Sequence, residues 1–467
     1  MKSFIHISVL LSTLLMGFAN AGSSKPYYDK KEILSKTDWK DVGVAEDAPS
    51  HLSVISQGIY YENLHSKYDK NYYYPATAGR DIDVYMFDTS FNYSYDEFSD
   101  ISGSIDFMVK DGIVSKLNNT KVLYTENSGI PDHGTMTSVA VAGKTMGVAK
   151  KANLHGVIMD YNKSKVKNYV FIADNIFEWL KYLKENDLIK KHKTVFNFSI
   201  AGRTSLNTFK NGDSYTKLQD LINEIANNGA VFVAGAANDG KQPYQEDEVV
   251  FPCSFDNVIC VGGVGNFNIT GIMDDEIDSS YYTLGKYNIA KETNSNYGDH
   301  VDIYAPFVFH YQGKFKGSKK TREEYGIIED DYEVEDTEYG LIIKNFNGVM
   351  PGTSFSTPIV SGVAATLMSE LPERKFTSAS MLSYLIDKGE KNKILGIPDG
   401  YPNVFLNNGK KIVYRPDLNI VSDNQHFFRE INKSKHDSDI EIDVDLEEVI
   451  DIDVDSDDEF DDEFDDE

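Results

Sequence analysis

From about residue 81 onwards, short apolar runs alternate with longer amphipathic stretches, and this alternation constrains the fold more than any other feature of the sequence. Nearly continuous apolar runs are typical of strands that are buried on both faces, whereas apolar residues at helical spacing indicate amphipathic helices. Strands that alternate with helices predict a parallel sheet covered on both faces. We therefore predict an α/β fold with three layers (αβα) and a mostly parallel central sheet. The predicted strands are 82–87, 157–159, 195–200, 231–236, 258–264 and 301–304, and the predicted helices are 133–142, 169–183, 218–227, 357–370 and 379–388.

Three stretches do not follow this alternation. Residues 22–50 are polar and weakly patterned, and they predict a short N-terminal, propeptide-like segment. Residues 51–80 carry clustered tyrosines, which predict a segment packed on the surface of a core. Residues 307–346 are charged and are interpreted as a surface excursion or hairpin. The folded domain is expected to span residues 51–415.

The first 21 residues have the features of a secretory signal peptide. Lys2 precedes an apolar run at 7–18, and Ala19-Asn20-Ala21 provides a small-x-small cleavage site. The apolar run is shorter than the ~20 residues that a membrane-spanning helix needs, and no later run is long enough. We expect a secreted, monomeric protein without a transmembrane segment.

The negative charge of the chain is concentrated at its C-terminal end. Residues 437–467 contain 19 acidic residues and no lysine or arginine, and without them the net charge of −28 falls to −9. Charge repulsion and the lack of a burying surface predict a disordered acidic tail. The acidic balance excludes a general nucleic-acid binder, which requires a basic surface.

Secretion also determines how the cysteines and several asparagines are interpreted. Cys253 and Cys260 are the only cysteines, and an oxidising compartment favours a disulfide between them over two buried thiols. The chain also contains Asn-x-Ser/Thr triplets, which are acceptor sites for N-glycosylation. They lie at Asn92, Asn118, Asn162, Asn197, Asn268 and Asn432, and Asn197 is expected to stay unmodified inside a buried strand.

Three residues at the boundaries of predicted elements suggest nucleophilic catalysis. Asp88 follows a predicted strand in VYMFDTS, His133 opens a predicted helix in DHGT, and Ser354 precedes a helix of small and apolar residues in PGTSFSTP. Acyl transfer requires such a set, in which a carboxylate orients an imidazole that takes the proton of a hydroxyl. Taken singly, each residue is as well explained by a turn, a surface histidine or a helix cap.

The segments around these residues resemble the subtilisin superfamily of serine peptidases, in particular its proteinase K-like branch. The order Asp88, His133, Ser354 matches that family's order of Asp, His and Ser, and the resemblance spans roughly residues 51–389. Six further segments agree with family blocks. They are AGKTMGVAKKANLHGVIMD (142–160), VFNFSIAG (195–202), AVFVAGAANDG (230–240), FPCSFDNVICVGGV (251–264), SNYGDHVDIYAP (295–306) and GTSFSTPIVSGVAATLM (352–368).

The resemblance implies a subtilisin-like fold and a role for each matching residue. Ser354 would be the nucleophile, His133 the general base and then acid, and Asp88 the carboxylate that orients the histidine. Asn238 would donate from its side-chain amide to the oxyanion, together with the N–H of Ser354. An extended peptide substrate would pair with an edge strand beside a specificity pocket. The residues implied in substrate binding are Ser199, Ile200, Ala201, Gly235 and Ala236.

Several glycines of the family are replaced in this chain. Ser90, Asp132 and Val139 are three such replacements near the first two catalytic residues. Ala201 and Ala237 lie at cleft positions that usually lack a side chain, and their methyl groups should narrow the cleft. We expect slower or more selective cleavage than that of a broad-specificity relative. Residues 22–50 are also too few for the folded inhibitory propeptide of most secreted relatives, so the route of maturation stays open.

Two other functions stay open beside a secreted serine endopeptidase that acts on polypeptides. A catalytically impaired homologue could use the cleft to bind peptides, and the acidic tail could make the protein a cation-dependent component of a cell surface or wall. The mechanism requires no organic cofactor. Family members often bind structural calcium, but no spacing in this sequence indicates a site.

Overall fold

A mixed sheet of ten strands lies at the centre of the fold. The computed structural model describes residues 27–58, 68–125, 132–160, 169–245, 247–265, 287–288, 294–317, 334–337 and 340–416. These described residues belong to one compact unit. The predicted signal peptide at 1–21 and the predicted acidic tail at 437–467 lie outside the described residues.

The described elements are numbered here in chain order. The α-helices are α1 (Lys30–Lys36), α2 (Ser50–Ser53), α3 (His133–Ala142), α4 (Val170–Glu185), α5 (Leu206–Asn211), α6 (Asp213–Asn227), α7 (Thr353–Glu370) and α8 (Ser378–Lys388). The strands are β1 (Val42–Ala45), β2 (Tyr72–Pro75), β3 (Asp83–Asp88), β4 (Phe91–Asn92), β5 (Gly103–Lys110), β6 (Ile113–Thr120), β7 (Val122–Leu123), β8 (Asn153–Asp160), β9 (Thr194–Phe198), β10 (Gly202–Ser205), β11 (Ala230–Gly235), β12 (Tyr244–Gln245), β13 (Glu248–Phe251), β14 (Val258–Val264), β15 (Tyr287–Asn288), β16 (Ile303–Pro306), β17 (Val308–Gly317), β18 (Val334–Thr337), β19 (Gly340–Pro351), β20 (Glu390–Lys391), β21 (Ile394–Leu395) and β22 (Val404–Phe405).

The central sheet has the strand order β20-β22-β16-β14-β11-β9-β3-β8-β5-β6. From β22 to β5 each neighbouring pair is parallel, and only the two edge strands pair in the antiparallel sense. Every residue of β3, β9, β11, β14 and β16 is buried, as in strands covered on both faces. The predicted α/β fold with a mostly parallel central sheet is confirmed.

The helices cover the sheet in two groups. Helices α3 and α7 pack on each other over one face, and α4 and α6 pack on each other over the other face. Apart from its last residue, Glu370, helix α7 is apolar or small all round, which is the pattern of a fully enclosed helix. All of its residues except Ser354 and Ser369 are buried. A Cβ atom at Gly362 would lie 2.6 Å from Cβ of Val148, so glycine allows this close packing.

The N-terminal segment is more ordered than its weak pattern predicts. Strand β1 pairs with β2 in the antiparallel sense, from Val42 opposite Pro75 to Ala45 opposite Tyr72. A small second core joins this segment to residues from the far end of the domain. Its buried members are Ile33, Trp39, Val42, Tyr73, Ile412 and Tyr414. From residue 27 onwards, this N-terminal segment therefore packs against the folded domain that the later strands form.

A buried lysine lies beside this second core. Lys410 is 1% exposed, and its ammonium group donates to the carbonyl oxygens of Ser56 and Ile412. The same nitrogen lies 3.9 Å from the ring centroid of Tyr73. Two acceptors and an aromatic face offset part of the cost of removing the cation from water, and burial still lowers the pKa of Lys410 to about 7. The contacts of Lys410 tie residues 410–412 to the segments that contain Ser56 and Tyr73.

The charged stretch 307–346 contains a hairpin, one of the two interpretations of its sequence. Strands β17 and β19 pair in the antiparallel sense, with Val308 opposite Pro351, and β18 adds a third strand to β19. Phe309, Tyr311 and Met350 are buried against the main core. The high overall charge of the stretch masks this apolar face in the sequence. The hairpin returns the chain directly to the start of α7.

A histidine lies between two aspartates where three strands of the central sheet adjoin. His155 of β8 contacts Asp106 of β5 (Nδ1 to Oδ2, 2.5 Å) and Asp83 of β3 (Nε2 to Oδ1, 3.4 Å). Burial lowers the pKa of His155, but the two carboxylates outweigh burial and raise it to about 9. Burial alone would raise the pKa of Asp83, yet hydrogen bonds from His155 and its other partners lower it to about 2. The imidazole is therefore a cation in the folded protein at neutral pH.

This cluster predicts a loss of stability in mild alkali. The pKa of His155 is higher in the folded chain than the ordinary 6.5, so its contribution is complete below pH 6.5 and is lost as the pH rises through about 9. The contribution is on the order of 3 kcal/mol. Urea unfolding at pH 6 and pH 9 should therefore show a smaller pH dependence of the free energy of unfolding in His155→Gln than in the wild type.

The control for this prediction is His310→Gln, which removes a histidine bound to Asn347 in the hairpin. This variant should keep the pH dependence of the wild type. Equal pH dependence in His155→Gln and the wild type would contradict the assignment.

Within the described residues, no helix has the length and apolar character needed to cross a membrane.

Candidate active site

The carboxylate of Asp88 and the imidazole of His133 are in direct contact. Asp88 is the last residue of β3 and its side chain is 2% exposed, whereas His133 opens α3 and is 17% exposed. Nδ1 of His133 donates to Oδ2 of Asp88 at 2.8 Å, and the N–H of Thr89 donates to Oδ1 of Asp88 at 2.8 Å. The carboxylate is thus fixed on both oxygens, and Nε2 of the histidine remains to accept a proton.

This contact sets the charge behaviour of the histidine. Burial lowers the pKa of His133, but the negative charge of Asp88 and the hydrogen bond to it outweigh burial, so the pKa is raised above the ordinary 6.5. A raised pKa makes the imidazole a better proton acceptor. Glycine at 134 allows this arrangement, because a Cβ atom there would lie 2.4 Å from the carbonyl oxygen of Ser90.

Ser354 lies in the first turn of α7 and exchanges two hydrogen bonds with Ser199. Its hydroxyl donates to the carbonyl oxygen of Ser199 at 3.3 Å, and its own carbonyl accepts from the hydroxyl of Ser199 at 2.9 Å. Pro358 explains the second bond, since proline has no N–H to pair with the carbonyl four residues earlier. The first turn of α7 is thereby fastened to the segment that follows β9.

The structure brings His133 close to Ser354 without a hydrogen bond between them among the described contacts. The ring centroid of His133 lies 5.9 Å from that of Phe355, the residue next to Ser354. Catalytic hydrogen bonds are often long before a substrate binds. The acid, the imidazole and the hydroxyl therefore lie near the carboxyl ends of the central strands β3 and β9, with the acid and the imidazole in contact.

Two N–H donors flank one space beside Ser354. The side-chain oxygen of Asn238 accepts from the N–H of Thr353 at 2.9 Å, which fixes the orientation of its amide. A Cβ atom built on Gly352 would lie 3.7 Å from Nδ2 of Asn238 and 3.7 Å from the backbone nitrogen of Ser354. Gly352 has a φ of 145°, which only glycine adopts readily, and it keeps this space open. An oxyanion could accept from both donors there.

A cavity of about 240 Å³ adjoins the hydroxyl. Four of the five residues expected in substrate binding, Ser199, Ile200, Ala201 and Gly235, line it. The fifth, Ala236, is fully buried and donates its N–H to Val261, and Ala237 lies on the cavity instead. The complete lining is Ser199, Ile200, Ala201, Arg203, Gly235, Ala237, Asn238, Asp239, Thr353 and Ser354.

Sequence reasoning missed several polar residues of the site. Arg203 and Asp239 line the cavity. The one signal in the sequence is that Asp239 directly follows Asn238, which is a predicted site residue. Beneath the cavity, the buried Asn197 donates to the hydroxyl of Ser199 at 3.0 Å and accepts from Ser361 of α7 at 2.9 Å. Asn197 thus positions Ser199, the residue after β9 that is hydrogen-bonded to Ser354.

Asp132, a departure from the family pattern, is a completely buried carboxylate beside His133. It accepts from the hydroxyls of Tyr95 (2.9 Å) and Tyr124 (3.0 Å) and from the backbone N–H of Lys316 in β17. Burial raises the pKa of Asp132 to about 6, although these donors oppose the shift. The carboxylate joins the hairpin to the first turn of α3, which no local sequence pattern indicates.

Replacing Ala237 by glycine should stabilise the protein and widen the cavity. Ala237 has a φ of 72°, a left-handed conformation that strains any residue with a Cβ atom. Relief of this strain, less the greater entropy of glycine in the unfolded chain, should raise the free energy of unfolding by about 1 kcal/mol. Urea denaturation measures this value.

Ala78→Gly is the control, because Ala78 has a φ of 50° and lies outside the cavity lining. Both variants should gain stability, and only Ala237→Gly should change which peptides bind. A lower stability of Ala237→Gly would show that its methyl group contributes more by packing than it costs in backbone strain.

Cys253 and Cys260 form a disulfide, as predicted. For the structural calcium that the resemblance allows, the described residues offer no group of three or more His, Cys, Asp or Glu side chains that could hold a metal ion.

Comparison with known proteins gives one consistent result. The model of the subtilase family matches residues 79–403, which contain Asp88, His133, Asn238 and Ser354. The subtilase-type proteinase RRT12 of Saccharomyces cerevisiae is 28% identical over 401 residues, covering 84% of this chain and 64% of that protein. Subtilisin-like protease 2 of Trichophyton tonsurans is 26% identical over 318 residues, covering 68% of this chain and 57% of that protein.

The chain thus spans less than two thirds of the length of these two relatives. Among solved structures, a cold adapted subtilisin-like serine proteinase matches with a TM-score of 0.48 at 20% identity, covering 78% of this chain and 98% of that one. The family match extends over more than half of the sequence and includes every segment that forms the site. The chain belongs to the subtilase family.

Proposed function

We propose that this protein is a serine endopeptidase that hydrolyses peptide bonds through an acyl-enzyme intermediate. The observation that carries the proposal is the 2.8 Å contact between His133 and Asp88 beside the first turn of α7, where Ser354 lies. The membership in the subtilase family and the names of the proteinases that the chain resembles support it.

In the proposed mechanism, Ser354 attacks the carbonyl carbon of the substrate while Nε2 of His133 takes its proton. Asp88 holds the tautomer of the imidazole and stabilises its cation. The amide of Asn238 and the N–H of Ser354 donate to the negative oxygen of the tetrahedral intermediate. His133 then protonates the leaving amine. Water, activated by the same histidine, releases the acyl group.

The proposed substrate is an extended polypeptide that pairs with residues 199–201. Ala201 and Ala237 narrow the cavity beside Ser354, so cleavage should be slower or more selective than that of a broad-specificity relative. A library of peptides would test this expectation, and a profile equal to that of proteinase K would contradict it.

The decisive experiment compares the wild-type protein, expressed as residues 22–467, with two variants in which one serine of α7 is replaced by alanine. A fluorophosphonate probe should label the wild type and Ser369→Ala but not Ser354→Ala, and casein hydrolysis should follow the same pattern. Ser369 is a matched control because it is the other residue of α7 that is not buried. Absence of labelling in a folded wild type would favour the impaired homologue that binds peptides in the cleft.

We further propose that the protein is secreted after removal of residues 1–21. N-terminal sequencing of protein from the culture medium tests this proposal, with residue 22 as the expected first residue. Among the described acceptor asparagines, Asn118 is exposed, whereas Asn92 and Asn197 are buried. Asn118 is therefore the described site at which we expect a glycan.

A further inference from the structure

An ion pair lies on the lining of the cavity beside Ser354. Arg203 follows the first residue of β10, Asp239 follows Asn238, and Nη2 of Arg203 contacts Oδ2 of Asp239. The side chains are 25% and 31% exposed, so both charges are largely removed from bulk water. Burial raises the pKa of Asp239, but the hydrogen bond and charge of Arg203, together with Asn296 and Lys241, outweigh burial and lower it. The carboxylate is therefore ionised at neutral pH.

The carboxylate is fixed by a buried neighbour. Asn296 is completely buried, donates from Nδ2 to Oδ2 of Asp239 at 3.2 Å and accepts from the N–H of Asp239 at 3.0 Å. Its own N–H donates to the carbonyl of Ala237 at 3.0 Å. Asn296 thus positions Asp239 and the backbone of Ala237 together.

The arginine also has a defined position. Arg203 pairs with Val250 across strands β10 and β13, and its Nε lies 3.9 Å from Oε2 of Glu248. Glu248 is already bound by Lys241 at 2.7 Å and is not part of the cavity lining. Asp239 is therefore the carboxylate that neutralises Arg203 at the cavity.

The pair leaves the cavity lining without net charge. The other lining residues are all uncharged, and two of them are the alanines that replace glycines. A charged substrate side chain would meet a cation and an anion that already neutralise each other, and it would lose its hydration without gaining a partner.

We propose that the Arg203–Asp239 ion pair determines specificity by restricting the residue before the scissile bond to uncharged side chains. This inference rests on the proposed function. Each charge of the pair cancels the other. Removing one of them leaves the other without its partner, and the cavity should then favour substrate side chains whose charge is opposite in sign to the charge that remains.

The test uses four peptides that differ only in the residue before the scissile bond, which is Ala, Phe, Glu or Lys. The wild type should cleave the Ala and Phe peptides with kcat/KM about 10-fold or more above that of the Glu and Lys peptides. Asp239→Asn should raise kcat/KM for the Glu peptide by about 10-fold or more, and Arg203→Gln should do the same for the Lys peptide. The double variant should gain for neither charge.

Glu224→Gln is the matched control, since it breaks an ion pair with Lys184 outside the cavity lining and should leave the preferences unchanged. Circular dichroism checks folding, and either single variant suffices because each predicts a gain for one sign of charge. Unchanged preferences in an enzyme labelled by fluorophosphonate, or equal gains for both charges, would overturn this inference alone. An unlabelled wild type would overturn the proposed function and this inference with it.

Discussion

Replacing Asp88 by asparagine should lower kcat by about 10⁴-fold while the protein stays folded. The carboxylate accepts from Nδ1 of His133 at 2.8 Å and thereby keeps Nε2 as the proton acceptor. Asparagine can present its amide instead, which favours the wrong tautomer. The pKa of His133 should also fall, because the charge that raises it above 6.5 is gone. The acid limb of the kcat/KM profile should therefore move to lower pH, and steady-state kinetics from pH 5 to pH 9 would measure both effects.

The control for Asp88→Asn is Asp106→Asn. Asp106 also contacts Nδ1 of a histidine, His155, in the central sheet but outside the candidate site. It should lose stability and keep its kcat and its acid limb. A loss of activity in Asp88→Asn of less than about 10-fold, or an unmoved acid limb, would contradict the assigned role of Asp88.

Asn238→Ala should lower kcat by about 10²- to 10³-fold with little change in KM. The amide of Asn238 flanks the same space as the N–H of Ser354, and a donor there acts on charge that develops only in the transition state. The variant also loses the acceptor for the N–H of Thr353, which should cost about 1 kcal/mol of stability. Kinetics measured well below the melting temperature separate the two effects.

Asn238→Asp distinguishes donation to the oxyanion from a structural role. Aspartate keeps an oxygen that can accept from Thr353 but has no N–H to donate, and its charge opposes an oxyanion. We expect a loss of kcat at least as large as that of the alanine variant. Activity near that of the wild type in Asn238→Asp would show that only the bond to Thr353 matters.

The central strands were predictable because they are buried on both faces. The runs at 82–87, 195–200 and 258–264 are nearly continuous in apolar residues, and β3, β9 and β14 are found there. The edge strand β6 has no such signal, since most of its residues are exposed or half-buried and polar. The N-terminal helix α1 was equally hard to predict from the sequence, because its one buried residue, Ile33, packs with residues from the far end of the domain.

The residues of the candidate site also divide into those that the sequence predicts and those that it does not. Asp88, His133 and Ser354 stand at element boundaries within recognisable segments, so the sequence and the family resemblance predict them. The ion pair between Arg203 and Asp239 depends on where β10 lies relative to the turn after β11, which no local pattern encodes. The same holds for Asp132, whose partners come from two loops and the hairpin.

The enclosure of α7 has a consequence for how the protein responds to heat and denaturant. Ser354 is one of only two residues of this helix that are not buried, and the remainder of α7 packs into the main core. A segment buried to this extent opens only when the whole domain opens, so its amide hydrogens should exchange through global unfolding. Inactivation should then coincide with the melting of the core rather than precede it.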